Sequence, residues 1–305
     1  MTEISRSKFE MVGIDKSLNN EISRPNITYW KDAWRRLKGN KVAIVSLIVL
    51  LLIGLMTIIG PHLTSYKYWA TDSSIVNMSP NSKHWFGTDT LGRDLFSRVW
   101  KGGRVSIIIG ILGTFIEMTI GVIYGGISGY FGGKVDEVMM RIVEILLSVP
   151  YLIVVIIISL ILGKGILSLV IAMTITGWCG MARIIRGQIL KIREQEYVLA
   201  AKALGASPLR IIKKHLIPNT IGILIVNITL DIPSFIFAEA FLSYIGLGIQ
   251  SPNTSWGSLA SAAQPNLIFY PYQLFFPALF ISLTMLAFNL LGDGLRDALD
   301  PKLRQ

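Results

Sequence analysis

The sequence predicts an all-α polytopic membrane protein with six transmembrane helices. Three observations carry that expectation. Hydrophobic residues make up 52% of the 305 and charged residues only 16%, where a soluble domain averages about 25% charged. The apolar residues are gathered into blocks close to the ~20 residues that cross a hydrocarbon core, over roughly 42–60, 105–127, 142–162, 166–185, 221–246 and 273–292. With the N-terminus inside, 22 of the 29 Lys and Arg residues fall on inside segments and 7 outside, the bias that orients membrane chains. Both termini and the 186–219 loop are therefore expected on the cytoplasmic side.

Taken in order, residues 1–41 form a polar N-terminal segment. Its first 26 residues read as flexible, with no recognisable signal. Residues 27–40 predict a short interfacial helix in which Tyr29, Trp30, Trp34 and Leu37 stand beside basic residues, the chemistry of a membrane boundary. The charged start argues against a cleavable leader, so the first span reads as a retained signal anchor. It opens a unit over 42–104 that includes a long outer segment, far longer than an ordinary connection. There Thr88 or Asp89 is expected to cap a helix, and Asp94 and Arg98 are expected to pair at i,i+4.

Residues 105–293 form the expected core bundle and 294–305 a cytoplasmic tail. Gly121, Gly125 and Gly129 in span two repeat every four residues, a face for close helix contact. Pro150 and Pro277 mark expected kinks in spans three and six. Cys179 is alone within a span and reads as a small apolar filler.

Four acids, Glu117, Glu144, Asp231 and Glu239, fall within spans, where a charge is costly and faces a cavity or a partner. Glu144 has Arg141 three residues away as a local partner. Asp231 lies mid-span before Pro233, and two readings are open for it. With Asn227 and Glu239 it lines a translocation path, or it bonds between helices without touching cargo. The net charge of +10 is accounted for by the inside bias and anionic lipid, and does not point to nucleic acid.

Several classes are excluded or disfavoured. There is no phosphate-binding G-x-x-x-x-G-K-[ST] loop, no H-E-x-x-H, and the three histidines (His62, His84, His215) are scattered. No catalytic, cofactor or metal residues are expected. Asp89 and Asp94 have no partnered nucleophile or base nearby and read as structural. A secondary carrier is the stronger rival, but no internal repeat supports it.

The stretch Leu199–Pro218 gives the sharpest functional signal. Gly205 can end one short helix in a left-handed conformation, Ser207 can cap a second, and Pro208 suits its first turn. Leu209, Ile212 and Leu216 are expected on one face of that second helix, with Arg210, Lys213 and Lys214 elsewhere. A basic interfacial helix on lipid is the bland alternative. The pattern resembles the EAA loop of ABC-importer permeases, with Ala200, Ala201, Gly205 and Pro218 in register. Leu199 stands for that family's Glu, His215 for its Ile and Ile217 for its Leu.

Further strings resemble the C-type permease of oligopeptide, dipeptide and nickel ABC importers. They are Gly87-Thr88-Asp89, Gly92-Arg93-Asp94, Ser97-Arg98 and Gly103-Arg104-x-Ser106, then Leu242 to Gly248 with Pro252 and Trp256-Gly257, then Asn289 to Asp297 with Asp300-Pro301. This resemblance implies an ABC type I importer permease fold in a bacterial cytoplasmic membrane. It implies a heterodimer with a second permease, two cytoplasmic ATPases and an extracytoplasmic binding protein. ATP and Mg would be held on the ATPases, with none on this chain. The 186–219 loop would be the coupling loop, and the cargo a peptide, with nickel or a metal chelate as the alternative.

Overall fold

The computed structural model describes residues 28–163 and 165–300; the expectations for residues 1–26 and for Pro301 lie outside them. Among the described residues the chain is a succession of α-helices, and the one bridge between extended segments joins Thr88 to Asp94. Five helical stretches are long and apolar enough to cross a membrane, and a bent pair makes a sixth candidate.

Helix α1 (Tyr29–Gly39) is amphipathic. It buries Ala33 and Leu37 and leaves Trp30 and Trp34 outward. Asp32 bonds Arg35 and Arg36, and the Tyr29 hydroxyl donates to the Leu299 carbonyl, fixing α1 to the far end of the chain. Asn40 then caps α2 (Lys41–Ile59) by accepting from the Ala43 amide. Helix α3 (Leu95–Phe131) starts ten residues before the apolar block. Asp94 caps it, and the preceding loops bury its polar first turns.

The expected third span is not one straight helix. It is split into α4 (Gly133–Ser148) and α5 (Tyr151–Leu162), bent by 81°. Proline disfavours helical geometry in the residue before it, and Val149 is extended at φ −86°, ψ 129°. Alone, α5 reaches only ~18 Å at 1.5 Å per residue, so it needs α4 to complete a crossing. Helix α6 (Ile166–Ile192) follows, then α7 (Glu196–Ala203), α8 (Pro208–Ile211), α9 (Ile217–Tyr244), α10 (Trp256–Ala263) and α11 (Tyr272–Leu299). Helices α9 and α11 continue through Pro233 and Pro277.

The glycine stripe of α3 forms the main seam. A Cβ on Gly121 would meet the Met181 side chain, one on Gly125 the Ala182 carbonyl, and one on Gly129 Ile189. Without those carbons α3 and α6 approach at backbone distance, as small residues allow in lipid. Gly110 and Gly113 do the same against Ile232, Phe235 and Ile236 of α9. Cys179 is buried in the same layer. The bundle thus has a basal end, holding α1, α7 and α8, and a distal end, holding residues 60–94 and α10.

Candidate functional site

The basal elbow is built from its turn outward. The Ala206 amide donates to the Ala201 carbonyl and the Gly205 amide to Lys202, each at 3.0 Å. This double closure satisfies the last carbonyls of α7 and needs a left-handed residue; Gly205 supplies it at φ +78°. The Ser207 hydroxyl then accepts from the Arg210 amide at 3.4 Å, and Pro208 occupies the first turn of α8.

The face beyond this turn differs from the expected one. Ile211, Ile212 and Leu216 are buried against Ile185, Ile189, Val198 and Leu224, while Leu209 is 61% exposed. Residues Ile212–Leu216 form a π-helical turn, and the wider turn rotates the inward face so that Ile211 replaces Leu209. Pro218 does not end the element. Its missing N–H is accommodated by that turn, and Asn219 Nδ2 donates to the His215 carbonyl at 2.5 Å. Residues Pro208–Tyr244 therefore run as one stretch from elbow to membrane helix. Leu204, 88% exposed, and Leu209 project from this rigid base with Lys202, Arg210, Lys213 and Lys214 outward around them.

The distal cap uses its motif charges, Asp89, Arg93, Asp94 and Arg98, internally. Asp89 Oδ1 accepts from the Leu91 and Arg93 amides, and Oδ2 from Arg93 Nε at 2.7 Å, with Arg98 Nε at 3.5 Å. Asp94 caps α3 through the Ser97 amide at 2.8 Å and meets His84 Nδ1 at 2.9 Å. The expected Asp94–Arg98 pair is thus absent: the capping geometry turns Asp94 toward Ser97, and Arg98 reaches Asp89 and the Tyr68 carbonyl instead. Neither Thr88 nor Asp89 caps a helix. Thr88 is buried, its hydroxyl engaged with Ile75 and Met78. Ser97 Oγ bonds the Tyr66 carbonyl and Thr64. Gly87 and Gly92 have φ of +77° and +69°, and a Cβ on Gly92 would strike the Asp72 backbone. The Asp72 carboxyl is held below the usual carboxylate range by its bonds from the Ser74 hydroxyl and amide.

Within the membrane segments the acids divide. Glu144 pairs with Arg141 at 2.9 Å. Glu239 is fully buried and accepts from the Ser106 and Ser243 hydroxyls at 2.9 and 2.7 Å. Ser106 in turn accepts from the Trp256 amide, so this carboxylate ties α3, α9 and α10 together. Asp231 and Asn227 are half-buried, one helical turn apart on α9. Glu117 lies within electrostatic reach of Asp231 and sits over Gly177, its Oε2 2.9 Å from where a Cβ would stand. Among the described residues neither acid has a hydrogen-bond or ion-pair partner. Asn227 also lines a cavity of about 560 Å³ shared with Gln188, Asn219 and Arg296 at the basal end.

Residues 95–305 match the family described as the binding-protein-dependent transport system inner membrane component, and residues 28–80 match the N-terminal TM domain of oligopeptide transport permease C. The chain belongs to this transport family. It is 52% identical to the dipeptide transport system permease protein DppC of Bacillus subtilis over 94% of this chain and 90% of that one. It is 50% identical to the oligopeptide transport system permease protein OppC of the same organism over the full length of both. Its fold resembles a chain of the MetNI methionine ABC transporter, TM-score 0.55 at 19% identity, covering 67% of this chain and 96% of that one. The protein is a multi-pass membrane component of an ABC-type transport system, with the importer permease fold.

In this permease the structure brings together the elbow residues Ala200, Ala201, Gly205, Ser207 and Pro208, and separately the cap residues Asp89, Arg93, Asp94 and Arg98. It does not bring Glu239 to Asn227 and Asp231. The stripe formed by Asn219, Asn227, Asp231 and exposed Ser234 along one side of α9 was not expected as a unit. Its signal was in the sequence: residues 219, 227 and 231 recur at multiples of four.

Proposed function

We propose that this chain is the permease subunit of a bacterial ABC importer for oligopeptides or dipeptides, paired with a second, different permease. Two ATPases, which would carry the ATP and Mg²⁺, dock on the 186–219 loop at the cytoplasmic side, where both termini also lie. An extracytoplasmic binding protein delivers cargo to the opposite face, reaching the cap or the second permease. The observation that carries this reading is the basal elbow. Leu204 and Leu209 project outward from a turn whose base is locked into α9. A soluble partner that contacts the elbow differently in two states can bias the bundle between them, whereas equal contact would shift nothing.

The α9 stripe gives that motion a route for cargo. Polar groups on a half-open face of a membrane helix belong beside water or a partner rather than beside acyl chains. Asn227, whose Nδ2 donates to the Ile223 carbonyl at 2.7 Å, turns its Oδ1 to a peptide's amides and Asp231 offers a carboxylate to its ammonium group, while Glu239 holds the distal helices. The named relatives are peptide permeases, which favours peptide over nickel.

The test is ATP-dependent uptake into proteoliposomes holding the chain with its partner subunits, offered a labelled peptide and, separately, nickel. Peptide uptake is expected. Nickel uptake alone would move the protein to the metal branch, and uptake indifferent to ATP would restore the carrier reading. Asp231→Leu should lower peptide uptake by about tenfold to a hundredfold, the loss of one charge-assisted contact of ~1.5–3 kcal/mol, with assembly unchanged. Full uptake in that variant removes Asp231 from the path.

A further inference from the structure

At the distal end of α2 two adjoining cavities share His62 and Arg104. The larger, about 780 Å³, is an open apolar groove between α2 and α3, walled by Gly54, Ile58 and Ile108. It lies on membrane-spanning helices, and Ile58 and Ile108 are exposed within it. The smaller, about 370 Å³, lies where the chain leaves the span. It is walled by Tyr68 and Trp69, with Lys67 and Lys101 at its edge.

The charges there are of one sign. Arg104 Nε and Nη2 donate to the Thr57 and Ile58 carbonyls, each at 3.0 Å, which pins the guanidinium against the end of α2. Two of its five N–H donors are used, and the rest remain available. Lys101 lies over the Tyr68 ring at 5.3 Å and Lys67 over Trp69 at 5.6 Å. Among the described residues no carboxylate pairs with Lys67, Lys101 or Arg104, unlike the neighbouring Arg93 and Arg98, which share Asp89. Two lysines over aromatic rings and an arginine beside them, all without a carboxylate partner at a membrane boundary, attract a phosphate. The groove below takes a hydrocarbon chain.

We propose that these two cavities form one binding site for an anionic glycerophospholipid, with its phosphate between Arg104 and Lys101 and one acyl chain between α2 and α3. The lipid fills the gap beside α2, the helix at the edge of the bundle, and couples it to the α3 seam. A neutral zwitterionic lipid fits the groove but leaves the cations without a net countercharge. A soluble phosphate meets the cations but leaves the groove empty.

The test uses the assembled transporter, purified in detergent and offered phosphatidylglycerol, phosphatidylcholine or soluble glycerol phosphate. Retained lipid is read by native mass spectrometry and stability by thermal unfolding. Phosphatidylglycerol is expected to be retained at least tenfold better than phosphatidylcholine and to raise the melting temperature, with glycerol phosphate inactive. The double variant Lys67→Gln/Lys101→Gln, which keeps Arg104, should cut the preference at least about threefold without abolishing acyl binding. Ile108→Trp, which fills the groove, should abolish retention of both lipids. Equal retention of the two lipids by the unsubstituted complex, glycerol phosphate as effective as lipid, or phosphatidylglycerol retention unchanged in both variants would each overturn the proposal.

Discussion

In the distal cap, Asp89, Arg93, Asp94 and Arg98 are buried against one another and against the loops around them. In the basal elbow, Lys202, Arg210, Lys213 and Lys214 face outward beside Leu204 and Leu209. Both regions carry family motifs, and both depend on glycines at positive φ. These four charges leave little for a partner, because they hold the cap's own loops. The elbow directs its backbone bonds inward and presents its side chains outward, where they are open to another molecule. A motif residue is thus a poor guide to contact until its partners within the chain are known.

The contrast can be broken most severely in the cap. Asp89→Ala leaves two buried guanidinium groups without their carboxylate, a loss of ~3–5 kcal/mol. It should remove folded complex from the membrane, measured as yield and melting temperature. An Asp89→Ala protein of normal stability would mean that the cap's charges are not structural.

The elbow should respond in the opposite way, with activity lost and folding kept. Proline cannot adopt the φ of +78° at Gly205, nor donate its amide to Lys202. Gly205→Pro is therefore expected to cut cargo-stimulated ATP hydrolysis at least ~tenfold, a coupling loss of ~1.4 kcal/mol, with insertion normal. Normal stimulation in this variant counts decisively against docking at the elbow. A finer comparison sets two neighbours side by side. Leu209→Asp should lower uptake several-fold at unchanged yield, whereas Ile211→Asp, which buries an unpaired charge, should lower yield itself. Equal behaviour of the pair would erase the distinction between outward and inward faces. The smallest effect is expected at Leu199, where Glu restores the residue of the resembled loop. It should be tolerated, and severe loss of uptake would assign Leu199 an apolar contact of its own.

Most of the architecture was legible because lipid imposes it. Apolar blocks, the glycine repeat at 121, 125 and 129, and the Gly205-Ala206-Ser207-Pro208 turn each obey a local rule. What escaped was set by contacts across the chain. Leu209 and Ile211 exchange roles because a π-helical turn, itself tied to Pro218, rotates the face. Arg98 abandons Asp94 because the loop bearing Asp89 folds back over it. Val149–Pro150 reads as a kink within one span, and the extended backbone at Val149 opens it into a bend of 81°. The candidate site was less legible than the fold. Glu239, Asp231 and Asn227 look alike as polar residues in one span, and their separation depends on the Ser106 and Ser243 hydroxyls that engage only Glu239.

Helix α3 joins the two regions. Its 37 residues contain no proline and extend ~55 Å at 1.5 Å per residue, well beyond the ~30 Å of hydrocarbon. One end is clamped by Asp94 and the cap, and the other is seated on α6, where Arg193 holds the Gly129 carbonyl at 2.9 Å. A single unbroken rod held at both ends behaves as a lever. A few degrees of tilt at one end of a rod this long would move the other end by several ångströms, and under the proposed docking at the elbow that is how a push at one face of the membrane would reach the opposite mouth.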